Sequence, residues 1–335
     1  MVVNMRQNAS GGLALLLPTV LSLVAFVLAM IALLAGTGSQ QEALEPYHIV
    51  AINLSDFGHN LIPSPTSSSP QPSQTGNSIW DQIEGGLDNL GQDISDGINN
   101  ITNGIADKVI EELGISEWYS LHVMTACEGM FSPNATNPHA WYNTTNCTAQ
   151  EPGLRFNLSA VLDHEIKAGP LDLNLNQLPI PDAVQDAIDM VNDALLALFV
   201  FYVLASAFSG LAFLTGLAVL VMRRNSVSPW IIWLSVAISV IGALTLLIGS
   251  AIATYINTKG VNEINDAGEE AGISGIKGTK FITISWVAFA LMFLTSLFWT
   301  LGLLRSTRDR VFRTTRPSYR GNGYRKRYSH EMSHS

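Results

Sequence analysis

Four long uncharged stretches divide this 335-residue chain into alternating apolar and polar segments. They cover residues 13–35, 194–222, 229–256 and 281–304. A helix needs about 20 apolar residues to cross the hydrocarbon core of a bilayer, where unpaired backbone groups are costly. The pattern therefore predicts four transmembrane helices. The alternative for the first stretch is a cleaved signal peptide, which is less favoured because a signal carries only about 7–15 apolar residues.

The polar segments between the spans predict an orientation. Residues 1–12, the short loop 223–228 and the tail 305–335 are basic near the span ends, whereas the large loop 36–193 and the loop 257–280 lie on the other side of the four spans. Basic flanks stay in the cytosol. We therefore expect both termini in the cytosol and the two longer loops outside.

Charge is distributed unevenly along the chain. Only 13% of the residues are charged, against about 25% in an average soluble domain. Residues 37–190 contain 20 acidic and 3 basic residues, and residues 305–335 contain 9 basic and 2 acidic residues. No ionisable residue lies deep in a span, which argues against a transporter or proton-coupled carrier. A channel-like pore lined by hydroxyl groups stays open as a less favoured function.

Glycosylation sequons support the same orientation. Asn-X-Ser/Thr triplets are used only on the lumenal side of the membrane. The sequence predicts six acceptors, all in the large loop: Asn53, Asn100, Asn134, Asn143, Asn146 and Asn157. A seventh sequon, at Asn8, lies on the cytosolic side and should stay unmodified.

The large loop falls into parts of different character. Residues 63–78 are rich in Pro, Ser and Thr and should be disordered. Residues 79–113 repeat apolar positions every eleven residues, which predicts an amphipathic helix. Packing on the rest of the loop is favoured for it, with the membrane surface and a partner as alternatives. Residues 181–195 predict a further amphipathic helix that continues into the second span.

Residues 117–158 hold the only two cysteines, Cys127 and Cys147. The side chains of residues 117–125 alternate between two faces and are prone to form strands, which predicts a β-strand. Because the loop lies in an oxidising compartment, we expect the cysteines to form a disulfide. The alternative, a metal site, lacks a matching pair of histidines.

Small residues recur at four-residue spacing in the second and third spans, and such faces let helices approach closely. They favour packing within the four-helix bundle, with an oligomer interface as the alternative. The pairs are Ala205 and Ser209, Ser206 and Gly210, Ser235 and Ser239, and Gly249 and Ala253.

A block of the large loop resembles the fungal Sur/PalI family of plasma-membrane proteins. It reads Trp118-Tyr-Ser-Leu-His-Val-Met-Thr-Ala-Cys-Glu-Gly-Met-Phe131, followed by Asn146-Cys-Thr148, and the resemblance covers about residues 10–305. It implies a claudin-like bundle with a small β-layer joined by Cys127 and Cys147. The Gly-Leu-Trp motif of claudins is absent, so tight-junction function is not carried over. The family is linked to eisosomes, cell-wall organisation and endocytosis, and a separate branch to ambient-pH signalling.

Motifs for catalysis are missing from the sequence. His164 and Glu165 begin like a zinc-protease helix, but Ala168 stands where the second histidine ligand would be. No nucleophile elbow or phosphate-binding loop is present. We therefore expect no enzyme, no cofactor, no metal and no nucleic-acid partner.

The basic tail predicts binding to the anionic inner leaflet, at about 1 kcal/mol per basic residue near the surface. Its basic residues are Arg305, Arg308, Arg310, Arg313, Arg316, Arg320, Arg325, Lys326 and Arg327. The favoured function is a non-enzymatic organiser of cortical membrane domains that binds copies of itself or scaffold proteins. The alternative is a sensor or regulatory subunit of a signalling complex.

Overall fold

The computed structural model describes residues 9–37, 41–57, 116–133, 135, 140–161, 182–222 and 229–314. Several features predicted from the sequence lie outside these ranges. They are the disordered tract 63–78, the amphipathic helix 79–113, the sequons at Asn8, Asn100 and Asn134, the basic loop 223–228, and the tail beyond Thr314.

Four long helices dominate the described residues. The helices in chain order are α1 (Ala9–Leu34), α2 (Gln41–Leu44, a single turn), α3 (Asp182–Met222), α4 (Pro229–Gly268) and α5 (Thr279–Thr314). Helices α1, α3, α4 and α5 are each long and apolar enough to cross a membrane. The four predicted spans are thus confirmed, and the chain is a multi-pass membrane protein.

The four long helices form a closed bundle in which each helix contacts two neighbours, in the order α1, α3, α4, α5. The small-residue faces lie inside it. A Cβ atom on Gly210 would come within 3.3 Å of the Phe26 ring of α1, and one on Gly249 within 3.5 Å of the Tyr202 ring of α3. These faces are used for packing within one chain, as the bundle interpretation predicts.

Helices α3 and α4 extend beyond the bilayer-spanning length at the same end of the bundle. Helix α3 begins at Asp182, and the apolar stripe at its start is fully buried, which confirms the predicted continuation of that amphipathic segment into the second span. The stripe consists of Val184, Ile188, Val191 and Leu195. Helix α4 continues to Gly268. Residues 257–268 are therefore helical, although the sequence assigned them to a loop. The charged residues there end the apolar run but do not break the helix.

A five-stranded antiparallel sheet lies at this end of the bundle. Its strands are β1 (Val50–Asn53), β2 (Trp118–Leu121), β3 (Ala126–Ser132), β4 (Trp141–Cys147) and β5 (Ser274–Lys277), in the order β4-β3-β2-β1-β5. The small β-layer is thus confirmed. Strand β5 comes from the loop between α4 and α5, so the two longer loops of the chain form one sheet.

The strand predicted over residues 117–125 is wrong in its second half. Strand β2 ends at Leu121, and the backbone N–H of His122 donates to the carbonyl oxygen of Thr125 at 2.8 Å. This bond closes a tight turn that returns the chain into β3. Side-chain alternation alone did not reveal the turn, because residues 122–125 contain no glycine, proline or asparagine to mark one.

Asparagine side chains on the extended helices hold the sheet in place. Nδ2 of Asn257 donates to the carbonyl oxygen of Ile49 at 2.7 Å, just before β1. Oδ1 of Asn265 accepts from the backbone N–H of Gly275, in β5, at 2.6 Å. Because Asn257 is buried, its bond is shielded from water and holds the sheet firmly on the bundle.

Candidate functional site

A buried carboxylate with two histidines lies between the sheet and the end of α1. Oε2 of Glu45 is 3.3 Å from Nε2 of His122, and Oε1 is 4.0 Å from Nδ1 of His48. Glu45 and His122 are fully buried, and His48 is 5% exposed. Charged groups are rarely buried unless they are paired, so Glu45, His48 and His122, called here the acid–imidazole cluster, form a specialised site.

A short turn after α2 positions two members of the cluster. Glu45 begins a 3-10 turn, Glu45–Tyr47, which has Pro46 in its first positions. The backbone carbonyl of Glu45 lies 3.0 Å from Nδ1 of His48. Because a carbonyl oxygen can only accept, Nδ1 of His48 must carry the hydrogen. The turn thus fixes both the orientation and the tautomer of this imidazole.

Burial and neighbouring charge shift the protonation of the cluster. Burial lowers the pKa of His48 from 6.5 to about 4, and the neighbouring His122 adds to this effect. For Glu45, burial alone would raise the pKa, but hydrogen bonds from His122 and Ser120 and the charge of His122 outweigh it and hold the pKa below its usual value. The cluster therefore favours a charged Glu45 beside a neutral His48.

Elements of the bundle and the sheet close around the cluster. Gly36, at the end of α1, has a φ of 75°, and a Cβ atom there would lie 2.5 Å from the His122 ring and 2.6 Å from Oγ1 of Thr125. On the other side, the ring of Tyr142 in β4 packs against His48 with a centroid distance of 5.5 Å. Burial raises the pKa of Tyr142 to about 12, so it stays a neutral phenol.

Several polar atoms of the site have no hydrogen-bond partner among the described residues. They are Oε1 of Glu45, Nδ1 of His122, Oγ1 of Thr125 and Nε1 of Trp118, all buried. Buried polar groups are usually satisfied, so this concentration at one place distinguishes the site from ordinary core. If a group of the cluster gains or loses a proton, these unpaired donors and acceptors can form new hydrogen bonds.

The disulfide limits what the cluster can bind. Donor atoms of Glu45, His122 and Cys127 lie within 4.8 Å of one another, which is close enough for a metal ion. However, Cys127 is bonded to Cys147, which confirms the predicted disulfide. A metal needs the thiolate form of cysteine, so only two of these three donors are usable while the disulfide is intact.

The described sequons occupy different surroundings. Asn143 and Asn146 are exposed on β4. Asn157 is exposed, and its Oδ1 accepts from the backbone N–H of Ala160 at 2.9 Å. Asn53 ends β1 and is half-buried. Their use as glycosylation sites stays a prediction.

The sequence did not single out the acid–imidazole cluster. Glu45 and His122 are 77 positions apart, and His122 stood out only as part of the strand pattern and of the block that carries the family resemblance. Three-residue spacing between Glu45 and His48 was the one local signal. In the basic tail, α5 continues as helical backbone to Thr314, so Arg305, and the basic residues up to position 313, lie on the helix that forms the fourth span.

Comparison with protein-family models identifies a family for this chain. A family model described as the SUR7/PalI family matches residues 14–298, which include most of α1, all of α3 and α4, most of the apolar part of α5 and the whole sheet. No curated protein and no solved structure gives a significant match. The matched range contains both the disulfide and the acid–imidazole cluster.

Proposed function

Because this chain belongs to the SUR7/PalI family of claudin-like membrane proteins, we propose that it is a non-enzymatic organiser of cortical domains in the fungal plasma membrane. In this role it links the membrane to cell-wall organisation or endocytosis. It acts by lateral association and by display of its sheet and glycosylated loop rather than by catalysis.

One observation carries this proposal: side chains of the bundle are hydrogen-bonded to the backbone of the sheet, which fixes it on the bundle. Both longer loops contribute strands to it, and buried side chains of α3 and α4 bind the backbone near its strands. A rigid surface keeps the same side chains facing outward in every copy. Repeated contacts between copies or with scaffold proteins then cost little ordering entropy.

The proposed orientation places both termini in the cytosol and the sheet outside the cell. The basic residues near positions 6, 223–224 and 305–310 support it. The disulfide between Cys127 and Cys147 also supports it, since such bonds persist in oxidising compartments.

Localisation tests the organiser role. The full chain with a C-terminal fluorescent tag should form stable patches at the cell cortex that coincide with a cortical-patch marker and recover slowly after photobleaching. A diffuse signal with fast recovery over the whole membrane would contradict the proposal. A tagged unrelated four-span protein serves as the control for crowding in the membrane.

The acid–imidazole cluster favours a second candidate, a pH-responsive subunit of a signalling complex. A buried carboxylate and imidazole at the joint between α1 and the sheet link protonation to packing. Replacing His48 with Asn should then shift the external pH at which the signalling output switches. Asn262→Ala, on the exposed surface of α4, is the matched control. An unshifted response in His48→Asn would remove this candidate.

We also propose that the basic tail holds the cytosolic end of α5 against anionic lipid. Nine basic residues follow the fourth span, and electrostatic attraction to acidic headgroups adds up over such a cluster. Serine and threonine residues lie among them, so phosphorylation would weaken the attachment. This gives the organiser a contact with the inner leaflet that can be regulated.

A further inference from the structure

Among the described residues, the outer edge of strand β4 pairs with no strand. In the order β4-β3-β2-β1-β5, β4 pairs only with β3, and no other strand of the described residues pairs with its second side. A free edge presents unpaired backbone donors and acceptors, which can pair with a strand of another chain. Proteins that stay soluble or evenly dispersed protect such edges.

The two edges of this sheet differ in their protection. Strand β5 has four residues, ends in Lys277 and packs against α4. Strand β4 has seven residues, Trp-Tyr-Asn-Thr-Thr-Asn-Cys, with no charge and no proline. A short strand, an edge lysine and a covering helix are the usual protective devices. Strand β4 is longer and has no edge lysine, and the helical segments that contact it, α2 and Glu45–Tyr47, are single turns, so its outer edge needs another cover.

An exposed tryptophan adds to the need for a cover. The side chain of Trp141 is 68% exposed. Among the described residues outside the four long helices, it is the only large apolar side chain that is largely exposed to solvent. Beside the unpaired backbone of the edge strand, this indole adds apolar area to the surface on which another chain could pair.

The only sequons on a described edge strand lie beside this tryptophan. Asn143 is two residues beyond Trp141, so both side chains leave the same face of β4. Asn146 is exposed near the other end of the strand, and its Nδ2 donates to Oε1 of Glu128 at 3.2 Å. The apolar face of a sugar bound to Asn143 would reach the indole ring.

We infer that Asn143 and Asn146 carry N-linked glycans whose role is to shield the free β4 edge and Trp141 from pairing with other chains. The inference rests on the proposed orientation of the sheet and not on the organiser role. It assigns to these two sequons a structural function that the other described sequons, Asn53 and Asn157, do not share.

The covalent chemistry requires a lipid-linked oligosaccharide as the co-reactant. Nδ2 of each asparagine forms a bond to C1 of the first sugar, the bond from C1 to the lipid pyrophosphate breaks, and one amide proton is lost to a base. The modified nitrogen keeps one hydrogen. Asn146 can therefore keep its hydrogen bond to Glu128 after modification.

The test compares three variants of the full chain, expressed in a eukaryotic host and purified in detergent. Asn143→Gln/Asn146→Gln removes both sequons and leaves the edge bare. Asn143→Lys/Asn146→Lys removes them equally but places charges on the edge. Asn157→Gln removes an exposed sequon away from the sheet edge. Endoglycosidase digestion reports which sites carry glycans, and chemical cross-linking reports self-association.

We expect the wild-type chain to carry glycans at Asn143 and Asn146. The Gln pair should raise the cross-linked fraction at least roughly tenfold, because each cross-strand pair formed at the bare edge is favourable. The Lys pair and Asn157→Gln should stay at the wild-type level. Equal self-association of the Gln and Lys pairs would overturn the inference, as would glycans at Asn157 with none at Asn143 and Asn146.

The test also distinguishes a wrong orientation from a variant that fails to fold. If no sequon of the large loop is modified, the proposed orientation fails and the inference fails with it. If the Gln pair does not fold, endoglycosidase trimming of folded wild-type protein exposes the same edge. Trimmed protein should then self-associate at least roughly tenfold more than untreated protein, as the Gln pair would have done. Trimmed protein that stays monodisperse would overturn the inference.

Discussion

The side chain of Asn192 forms two hydrogen bonds with the backbone of Phe156. Nδ2 donates to the carbonyl oxygen at 2.7 Å, and Oδ1 accepts from the N–H at 2.9 Å. Both residues are buried. The carboxamide therefore forms the same pair of hydrogen bonds with Phe156 that a neighbouring strand would form. It joins the first third of α3 to the loop that follows β4.

Removing this carboxamide should destabilise the protein. Asn192→Ala leaves a buried N–H and a buried carbonyl of Phe156 without partners, at a cost of about 2–4 kcal/mol in the free energy of unfolding. Thermal unfolding in detergent measures the change. Asn262→Ala, at an exposed position of α4, should change the stability by less than about 0.5 kcal/mol. Equal melting temperatures for the two variants would contradict the role of Asn192.

Gly36 should tolerate no side chain. Its left-handed backbone and its close approach to His122 and Thr125 both disfavour a Cβ atom, so Gly36→Ala should cost roughly 2–4 kcal/mol. Gly302→Ala is the control, because no atom lies within 4 Å of its Cβ position on α5. That change should be neutral or stabilise the helix by up to about 1 kcal/mol. The same melting experiment distinguishes them, and a stable Gly36→Ala variant would show that the contact is not tight.

The stability of the sheet region should depend on pH through His48. Its pKa is about 4 in the folded chain and 6.5 as a free side chain, so the unfolded chain binds the proton first as pH falls. Stability is then fully present above pH 6.5 and decreases toward pH 4, by an amount on the order of 3 kcal/mol. The groups that act on His48 are Glu45, His122 and Lys280.

His48→Asn tests this dependence, because the Asn amide can replace the Nδ1 donor without titrating. The variant should lose the decrease between pH 6.5 and 4 and keep only the decrease below the ordinary Glu45 pKa of 4.5, since the Glu45 pKa is lowered in the fold. Melting temperatures at half-unit pH steps measure both profiles. Parallel profiles for the two proteins would assign the dependence to other groups.

The basic tail should bind acidic membranes through charge alone. Replacing its nine basic residues with Gln should abolish binding of a tail peptide to liposomes that contain phosphoinositides, since each residue adds about 1 kcal/mol near the surface. Replacing the eight arginines with Lys keeps the charge and should preserve binding. Liposome co-sedimentation at two salt concentrations measures this. Binding that survives the Gln substitutions would show that charge is not the cause.

Local sequence could predict the features whose physical cause lies within a single stretch of the chain. Backbone groups must be paired in hydrocarbon, so four apolar runs suffice to predict four helices. The stripe of Val184, Ile188, Val191 and Leu195 has helical spacing, and all four side chains are buried. With only two cysteines in the chain, one pairing was available, and the disulfide of Cys127 and Cys147 follows from it.

The rest was decided by contacts between distant parts of the chain. Strand β5 pairs Lys277 with Val50, and neither short segment carries a strand pattern long enough to be recognised alone. The acid–imidazole cluster joins Glu45 to His122 across 77 positions. Periodicity reports which face of an element is buried, but not which element buries it. The sequence by itself therefore determined the four spans and the disulfide, and only the tertiary structure decided that a carboxylate and an imidazole lie buried together where the sheet meets the bundle.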